Sequence, residues 1–111
     1  MVNFEKRDNV EVMTFTVNKI NALIADDIRD QIIKVFENAN AKLVIDLRGV
    51  EYIDSSGFGC FLSSFKAARN NYGTLKFANA EPSVKALFET LKLNTIFELY
   101  SDTETCLRSF R

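Results

Sequence analysis

Residues 43–59 read LVIDLRGVEYIDSSGFG, and the pattern of apolar and polar residues changes twice within this stretch. Residues 43–47 are almost continuously apolar and rich in β-branched side chains, which predicts a central strand covered on both faces. Residues 48–55 form a polar loop, after which apolar residues recur at helical spacing: Phe58, Phe61, Leu62 and Phe65. A strand, a loop and a helix are therefore expected, with the loop at the carboxyl end of a sheet, where functional loops of α/β proteins often lie.

The chain before this stretch predicts a hairpin and a helix. Residues 2–17 alternate between apolar and polar on either side of the turn Lys6-Arg7-Asp8-Asn9, as two antiparallel strands do. From Asn21 onward the spacing is helical, and the predicted buried stripe consists of Ile24, Ile28, Ile32, Val35 and Phe36. The sheet should therefore begin with a hairpin, and a helix should lead into the central strand.

The chain after it predicts two short strands and two more helices. The expected features, in order, are a helix stop at Asn70-Asn71-Tyr72-Gly73, a strand at Leu75–Ala78, a helix starting at Pro82, a strand at Ile96–Leu99, and a capping box at Ser101-Asp102-Thr103-Glu104 before a C-terminal helix. This order predicts one α/β domain over residues 1–111, with a mixed, mostly parallel sheet of four or five strands and about four helices.

Composition excludes several classes of function. Fourteen Lys and Arg residues face fifteen Asp and Glu residues, so the basic excess that nucleic acids attract is missing. The absence of His removes histidine triads and most catalytic zinc sites, and no metal or cofactor is expected. Cys60 and Cys106 have no metal-ligand spacing and are interpreted as small apolar residues of a reduced, cytoplasmic protein. Without a long apolar run, no direct membrane insertion is expected.

The start of the second helix carries the most distinctive chemistry. Asp54 or Ser55 can accept backbone N–H groups as the N-cap, and Ser56 falls in the first turn with its hydroxyl predicted to turn toward solvent. A phosphate on Ser56 would add about −1.5 to −2 charges at a helix N-terminus, which tolerates an anion. The same charge, beside Asp54, would repel a docked partner, so the segment suggests a binding switch.

Gly57 and Gly59 occupy early turns of this helix, where glycine costs about 1 kcal/mol relative to alanine. Two interpretations remain open for both: a flat surface on which another backbone docks, or tight packing of the helix on the sheet.

Catalysis or nucleotide binding by this segment is not indicated. Ser56 has no histidine to activate it as a nucleophile, and no glycine-rich loop of the phosphate-binding type is visible. Asp46 and Asp54 need not meet as an acid-base pair or as a magnesium site.

At these residues the sequence closely resembles the STAS domain of bacterial anti-sigma factor antagonists. The matching residues are Asp46-Leu47-Arg48-Gly49-Val50 and Ile53-Asp54-Ser55-Ser56-Gly57-Phe58-Gly59, and the element order extends the resemblance over the whole chain. One difference lies before the first helix, where the family usually has a Gly and an Asp and this chain has Asn18 and Asn21. Asparagine tolerates left-handed backbone and caps helices, so the fold should survive.

The resemblance implies a binding protein rather than an enzyme. In the family, an anti-sigma factor that is also a serine/threonine kinase phosphorylates the second serine of the motif, which is Ser56 here, and a metal-dependent serine phosphatase reverses this. The partner-binding residues implied are Asn18, Asn21, Asp54, Ser55, Ser56, Gly57, Phe58 and Gly59. Two alternatives stay open: a stand-alone STAS subunit of a lipid or anion transport complex, and a nucleotide-sensing module.

Overall fold

The computed structural model describes Met1–Arg111, which contain seven strands and four helices. The strands are β1 (Val2–Arg7), β2 (Val10–Phe15), β3 (Lys19–Ile20), β4 (Lys42–Asp46), β5 (Tyr52–Ile53), β6 (Thr74–Ala78) and β7 (Leu99–Tyr100). The helices are α1 (Ala22–Val35), α2 (Ser55–Asn70), α3 (Pro82–Thr90) and α4 (Thr103–Arg108), with a 3₁₀ turn at Leu93–Thr95. No helix is both long enough and apolar enough to cross a bilayer.

Five of the strands form one mixed sheet in the order β1-β2-β4-β6-β7. The β1–β2 pair is antiparallel, and the pairs β2–β4, β4–β6 and β6–β7 are parallel. The strands β3 and β5 pair with each other in parallel, apart from the main sheet. The predicted fold class, an α/β domain with a mostly parallel sheet and four helices, is confirmed.

The two faces of the sheet are covered unequally. Leu43 and Ile45 point to the face that packs against α1, α2 and α3, whereas Val44 points to the face covered by α4. The larger core is rich in aromatic residues, and Phe77 of β6 contacts three other rings edge to face. Cys60 and Cys106 are both buried and unpaired, which agrees with their interpretation as apolar residues.

Two predicted boundaries near the end of the chain are wrong. The last strand comprises Leu99–Tyr100 rather than Ile96–Leu99, because Lys92 adopts a left-handed conformation (φ 58°) and a 3₁₀ turn follows it. At α4, the N-cap is Asp102, whose side chain accepts the Thr105 N–H at 2.7 Å, so Ser101 does not start a capping box.

The predicted stop of α2 at Asn70-Asn71-Tyr72-Gly73 is confirmed: the helix ends at Asn70, and Tyr72 after it is left-handed (φ 60°). Gly73 also has a packing role, since a Cβ at this position would lie 2.5 Å from an atom of the Phe36 ring, and the glycine therefore lets the ends of α1 and α2 pack together. One residue of the helical repeat in α2 is not where its spacing suggested. Leu62, assigned to the buried stripe from its spacing, is 40% exposed and lies on the outer face of the helix.

Candidate functional site

Two short strands bring the predicted site residues together. The Asn18 carbonyl oxygen accepts the Glu51 N–H at 2.7 Å, and the Asp54 N–H donates to the Ile20 carbonyl at 3.1 Å. The segment 18–21 is thereby joined to the segment that leads into α2. Asn21 in turn caps α1, since its Oδ1 accepts the Leu23 N–H at 3.0 Å. The N-terminal ends of α1 and α2 therefore lie side by side.

The loop between β4 and β5 is held by hydrogen bonds at the carboxyl edge of the sheet. Asp46 Oδ1 accepts from the Arg48 N–H at 3.0 Å and from Asn79 Nδ2 at 3.1 Å. Gly49 has a φ of 84°, a region in which glycine is the favoured residue, and its N–H donates to Glu81 Oε2 at 2.9 Å. Asp46 thus holds a loop in place, and Asp54 has a separate role at the start of α2.

Asp54 is the N-cap of α2. Its backbone is extended (φ −88°, ψ −177°), and its Oδ1 accepts the Gly57 N–H at 3.0 Å. Of the two residues that the sequence offered as caps, the structure selects Asp54, and Ser55 becomes the first helical residue. The cap satisfies one of the donors that a helix start leaves free and fixes the direction of the first turn.

Ser56 lies at the edge between the buried and exposed sides of α2. Its neighbour Ser55 is exposed, whereas Ser56 is half-buried. Phe58, on one side of the helix, contacts Phe88 of α3 at 5.1 Å between ring centroids. Ser56 is on the opposite side, one helical turn before the buried Cys60.

Gly57 and Gly59 differ in what surrounds them, and packing requires a glycine only at position 57. A Cβ on Gly57 would lie 2.6 Å from Ile53 Cγ2 and 3.1 Å from the Ile20 carbonyl oxygen, so tight packing explains this residue. A Cβ on Gly59 would meet nothing within 4 Å, and the residue is exposed. Packing does not explain Gly59, which leaves the outer face of α2 flat beside Ser55.

Comparison with known proteins identifies the family. The sequence profile of the STAS domain matches residues 1–106. The chain belongs to the STAS domain family. A curated relative, the anti-sigma-B factor antagonist of Bacillus subtilis, is 27% identical to this STAS domain over 99 residues, which cover 89% of this chain and 90% of the relative.

Solved structures show the same fold at lower identity. An anti-sigma-factor antagonist (STAS) domain protein from Planctomyces limnophilus superposes with a TM-score of 0.88 at 18% identity and covers 97% of this chain and 96% of its own. The phosphorylated form of the Bacillus cell fate determinant SpoIIAA superposes with a TM-score of 0.74 at 17% identity, with complete coverage of both chains.

Two apolar side chains near the site were not singled out from the sequence. Leu23, the second residue of α1, is 91% exposed, and Tyr52 of β5 is 50% exposed. The exposure of Leu23 could have been predicted, because this leucine lies outside the stripe of isoleucines that its helix buries. Tyr52 had no comparable signal, because a strand of two residues has no readable periodicity. Both add apolar area to the surface around the α2 start of this STAS domain.

The surface around Ser56 lies outside the largest cleft. That cleft has a volume of about 430 Å³ and lies between α3 and β7, where none of the predicted site residues lines it. No group of three or more Cys, Asp or Glu side chains is placed to hold a metal ion. Because a flat surface suits a macromolecule better than a small ligand, the geometry of this STAS domain favours protein recognition at α2.

The two glycines form a matched pair for mutation. In Gly57→Ala, overpacking should cost about 1–3 kcal/mol and the higher helix propensity of alanine should offset part of it, so we expect a net loss of about 1–2 kcal/mol in the free energy of unfolding. In Gly59→Ala, only the helix propensity changes, and a gain of about 0.5–1 kcal/mol is expected. Urea denaturation of both variants measures the difference, and equal effects would contradict the assigned packing.

Proposed function

We propose that this protein is a cytoplasmic anti-sigma factor antagonist controlled by phosphorylation of Ser56. Its unphosphorylated form binds an anti-sigma factor that is also a serine/threonine kinase, and the sigma factor is thereby released. Phosphorylation of Ser56 ends this binding until a metal-dependent serine phosphatase removes the phosphate. The protein acts as a binding partner and a kinase substrate, not as an enzyme.

The observation that carries this proposal is the position of Ser56 on the flat surface at the start of α2. Ser56 is in the first turn, beside the carboxylate of Asp54, and Gly59 leaves the next turn open to a docking backbone. Family membership supports the same conclusion, since a curated relative is named an anti-sigma-B factor antagonist. The structural relative SpoIIAA is described in a phosphorylated form, which supports modification as the control step.

Electrostatics explain how a phosphate would act here without unfolding the domain. The modified side chain would bring about −1.5 to −2 charges to a helix N-terminus, where the macrodipole and free N–H groups favour an anion. Towards a docked protein the same group adds a bulky charge next to Asp54, and the partner has to desolvate both. The domain therefore stays folded while the complex is destabilised.

Phosphorylation can be tested with two single-residue variants. The anti-sigma factor kinase of the source organism is incubated with labelled ATP and with the wild type, Ser56→Ala or Ser55→Ala. We expect Ser56→Ala to abolish labelling with nearly unchanged thermal stability, and Ser55→Ala to keep most of it. Labelling that persists in Ser56→Ala and is lost in Ser55→Ala would move the acceptor to Ser55, and no labelling of the wild type would remove the proposed control step.

A further inference from the structure

The main sheet ends in two edge strands of very different length. At one edge, β7 has two residues, and at the other edge, β1 has six residues with no strand beyond it. An edge strand presents unpaired N–H and C=O groups, with which the backbone of another chain can form hydrogen bonds. The edge at β1 is therefore the longer of the two places where a further strand can add to the sheet.

Every second residue of β1 directs its backbone groups towards the open edge. The Met1 carbonyl accepts the Thr16 N–H at 2.8 Å, so the hydrogen-bonded pairs of β1 with β2 fall at the odd-numbered residues. The N–H and C=O groups of Val2, Phe4 and Lys6 consequently point away from β2. Three residues of each copy thus offer both a donor and an acceptor to a further strand.

The cations of β1 are engaged within the same molecule. Positive side chains on an edge strand commonly keep other chains away. Here Lys6 Nζ lies 3.9 Å from Glu11 Oε1 of β2, and Arg7 pairs with Glu104 of α4. Phe4 is 39% exposed, and an open hollow of about 400 Å³ lies between it and α1. The edge therefore combines free backbone groups with an accessible aromatic side chain and with cations that are already paired.

We propose that two copies of this protein pair through β1 and form an antiparallel dimer centred on Phe4. A two-fold axis that joins the same edge of both sheets makes the two strands antiparallel. Only one register then pairs all the outward groups: Phe4 lies opposite Phe4 of the second copy, and Val2 lies opposite Lys6. A shift by two residues would leave one of the three residues in each strand without a partner. The two sheets would form one continuous sheet of twice five strands.

The side chains are self-complementary in this register. On the face that carries α1, the two Phe4 rings meet at the axis, and aromatic pairs of this kind stabilise neighbouring strands. On the face that carries α4, Asn3 lies opposite Glu5 of the second copy, where the amide can donate to the carboxylate. No two like charges lie directly opposite each other, an arrangement that would destabilise the pair.

Two variants of opposite charge test the position of the axis. In Phe4→Lys and in Phe4→Glu, two like charges would meet at the axis, so we expect each variant to raise the dissociation constant of the dimer at least about tenfold. An equimolar mixture of the two variants should dimerise again, because Lys then faces Glu. Leu62→Lys is the matched control, since Leu62 is 40% exposed on α2, and it should keep the wild-type value. Translational diffusion measured by NMR up to about 1 mM protein gives the dissociation constants.

Cysteine cross-linking tests the register independently of charge. Opposite residues of a non-hydrogen-bonded antiparallel pair have Cα atoms about 4.5 Å apart, which suits a disulfide. With oxidised glutathione as the oxidant, a mixture of Asn3→Cys and Glu5→Cys should form the mixed disulfide, which mass spectrometry distinguishes from the two homodimers. Either variant alone should form far less, because each position faces the other one. The native Cys60 and Cys106 are buried and serve in every sample as unreactive background.

Three outcomes would overturn the inference. A wild type that stays monomeric up to about 1 mM would leave the edge to a strand of a different protein. A dimer that persists in Phe4→Lys would place the interface elsewhere on the molecule. Homodimers of Glu5→Cys that form as readily as the mixed disulfide would contradict the register. None of these experiments involves a kinase or Ser56, so their failure and the failure of the labelling assay described above are separate results.

Discussion

Phe77→Ala is expected to lower the free energy of unfolding by about 3–5 kcal/mol, the usual cost of removing a fully buried phenylalanine. Phe77 has no exposed surface, and its ring lies 5.1 Å from Phe61, 5.4 Å from Phe88 and 5.0 Å from Phe97 between centroids. These rings come from α2, from α3 and from the segment before β7, so the cavity cannot close by the movement of a single neighbour. Urea denaturation gives the loss.

Phe4→Ala provides the comparison for this measurement. Phe4 is in the edge strand β1 and is 39% exposed, so its truncation removes less buried area and leaves no enclosed cavity. We expect a loss well below that of Phe77→Ala. Similar losses for the two variants would show that the aromatic cluster around β6 is not the centre of the core.

Ser56→Asp is expected to weaken binding of the anti-sigma factor kinase by at least about tenfold, or about 1.4 kcal/mol. The new carboxylate stands next to Asp54 on the proposed docking surface, and a partner built for an uncharged serine meets two negative charges there. The fold should be unaffected, because an acidic residue in the first turn of a helix is favourable. Isothermal titration with the purified kinase measures the affinity.

Asn94→Asp is the control, since it adds the same charge on the exposed 3₁₀ turn next to the cleft between α3 and β7. Its affinity for the kinase should equal that of the wild type. Unchanged affinity of Ser56→Asp would contradict an electrostatic switch at this serine. In a pull-down from the source cells, capture of transport subunits by the wild type and Ser56→Asp alike would favour a constitutive subunit of a transport complex.

The long elements were predictable because their apolar periodicity is strong. The isoleucines of α1, the run that became β4 and Pro82 at the start of α3 are found where the pattern placed them. The elements that could not be predicted are those with little or no periodicity. The strands β3 and β5 contain two residues each, and their pairing depends on contacts between segments about 30 residues apart.

The chemical properties of the site residues could be predicted from the sequence, but their packing in three dimensions could not. The capping and anion-binding potential of Asp54, Ser55 and Ser56 is local and can be read from residue types. That Gly57 is packed and Gly59 is open could not be read in this way, because it depends on Ile53 of β5 and Ile20 of β3, which pack against Gly57 alone. Likewise, Gly73 belongs to the predicted helix stop, but its packing against Phe36 could not be read from the sequence. Long-range packing supplies information that spacing along the chain does not contain.

The α1–α2 pair is fastened at both of its ends. At one end, the Asp54 N–H binds the Ile20 carbonyl; at the other, Asn71 Nδ2 donates to the Phe36 carbonyl at 2.9 Å. A group added near Ser56 would therefore find no hinge to move between these helices. What a partner would detect is a change of local potential on an unaltered shape, available as soon as the covalent bond forms and erased as soon as it breaks.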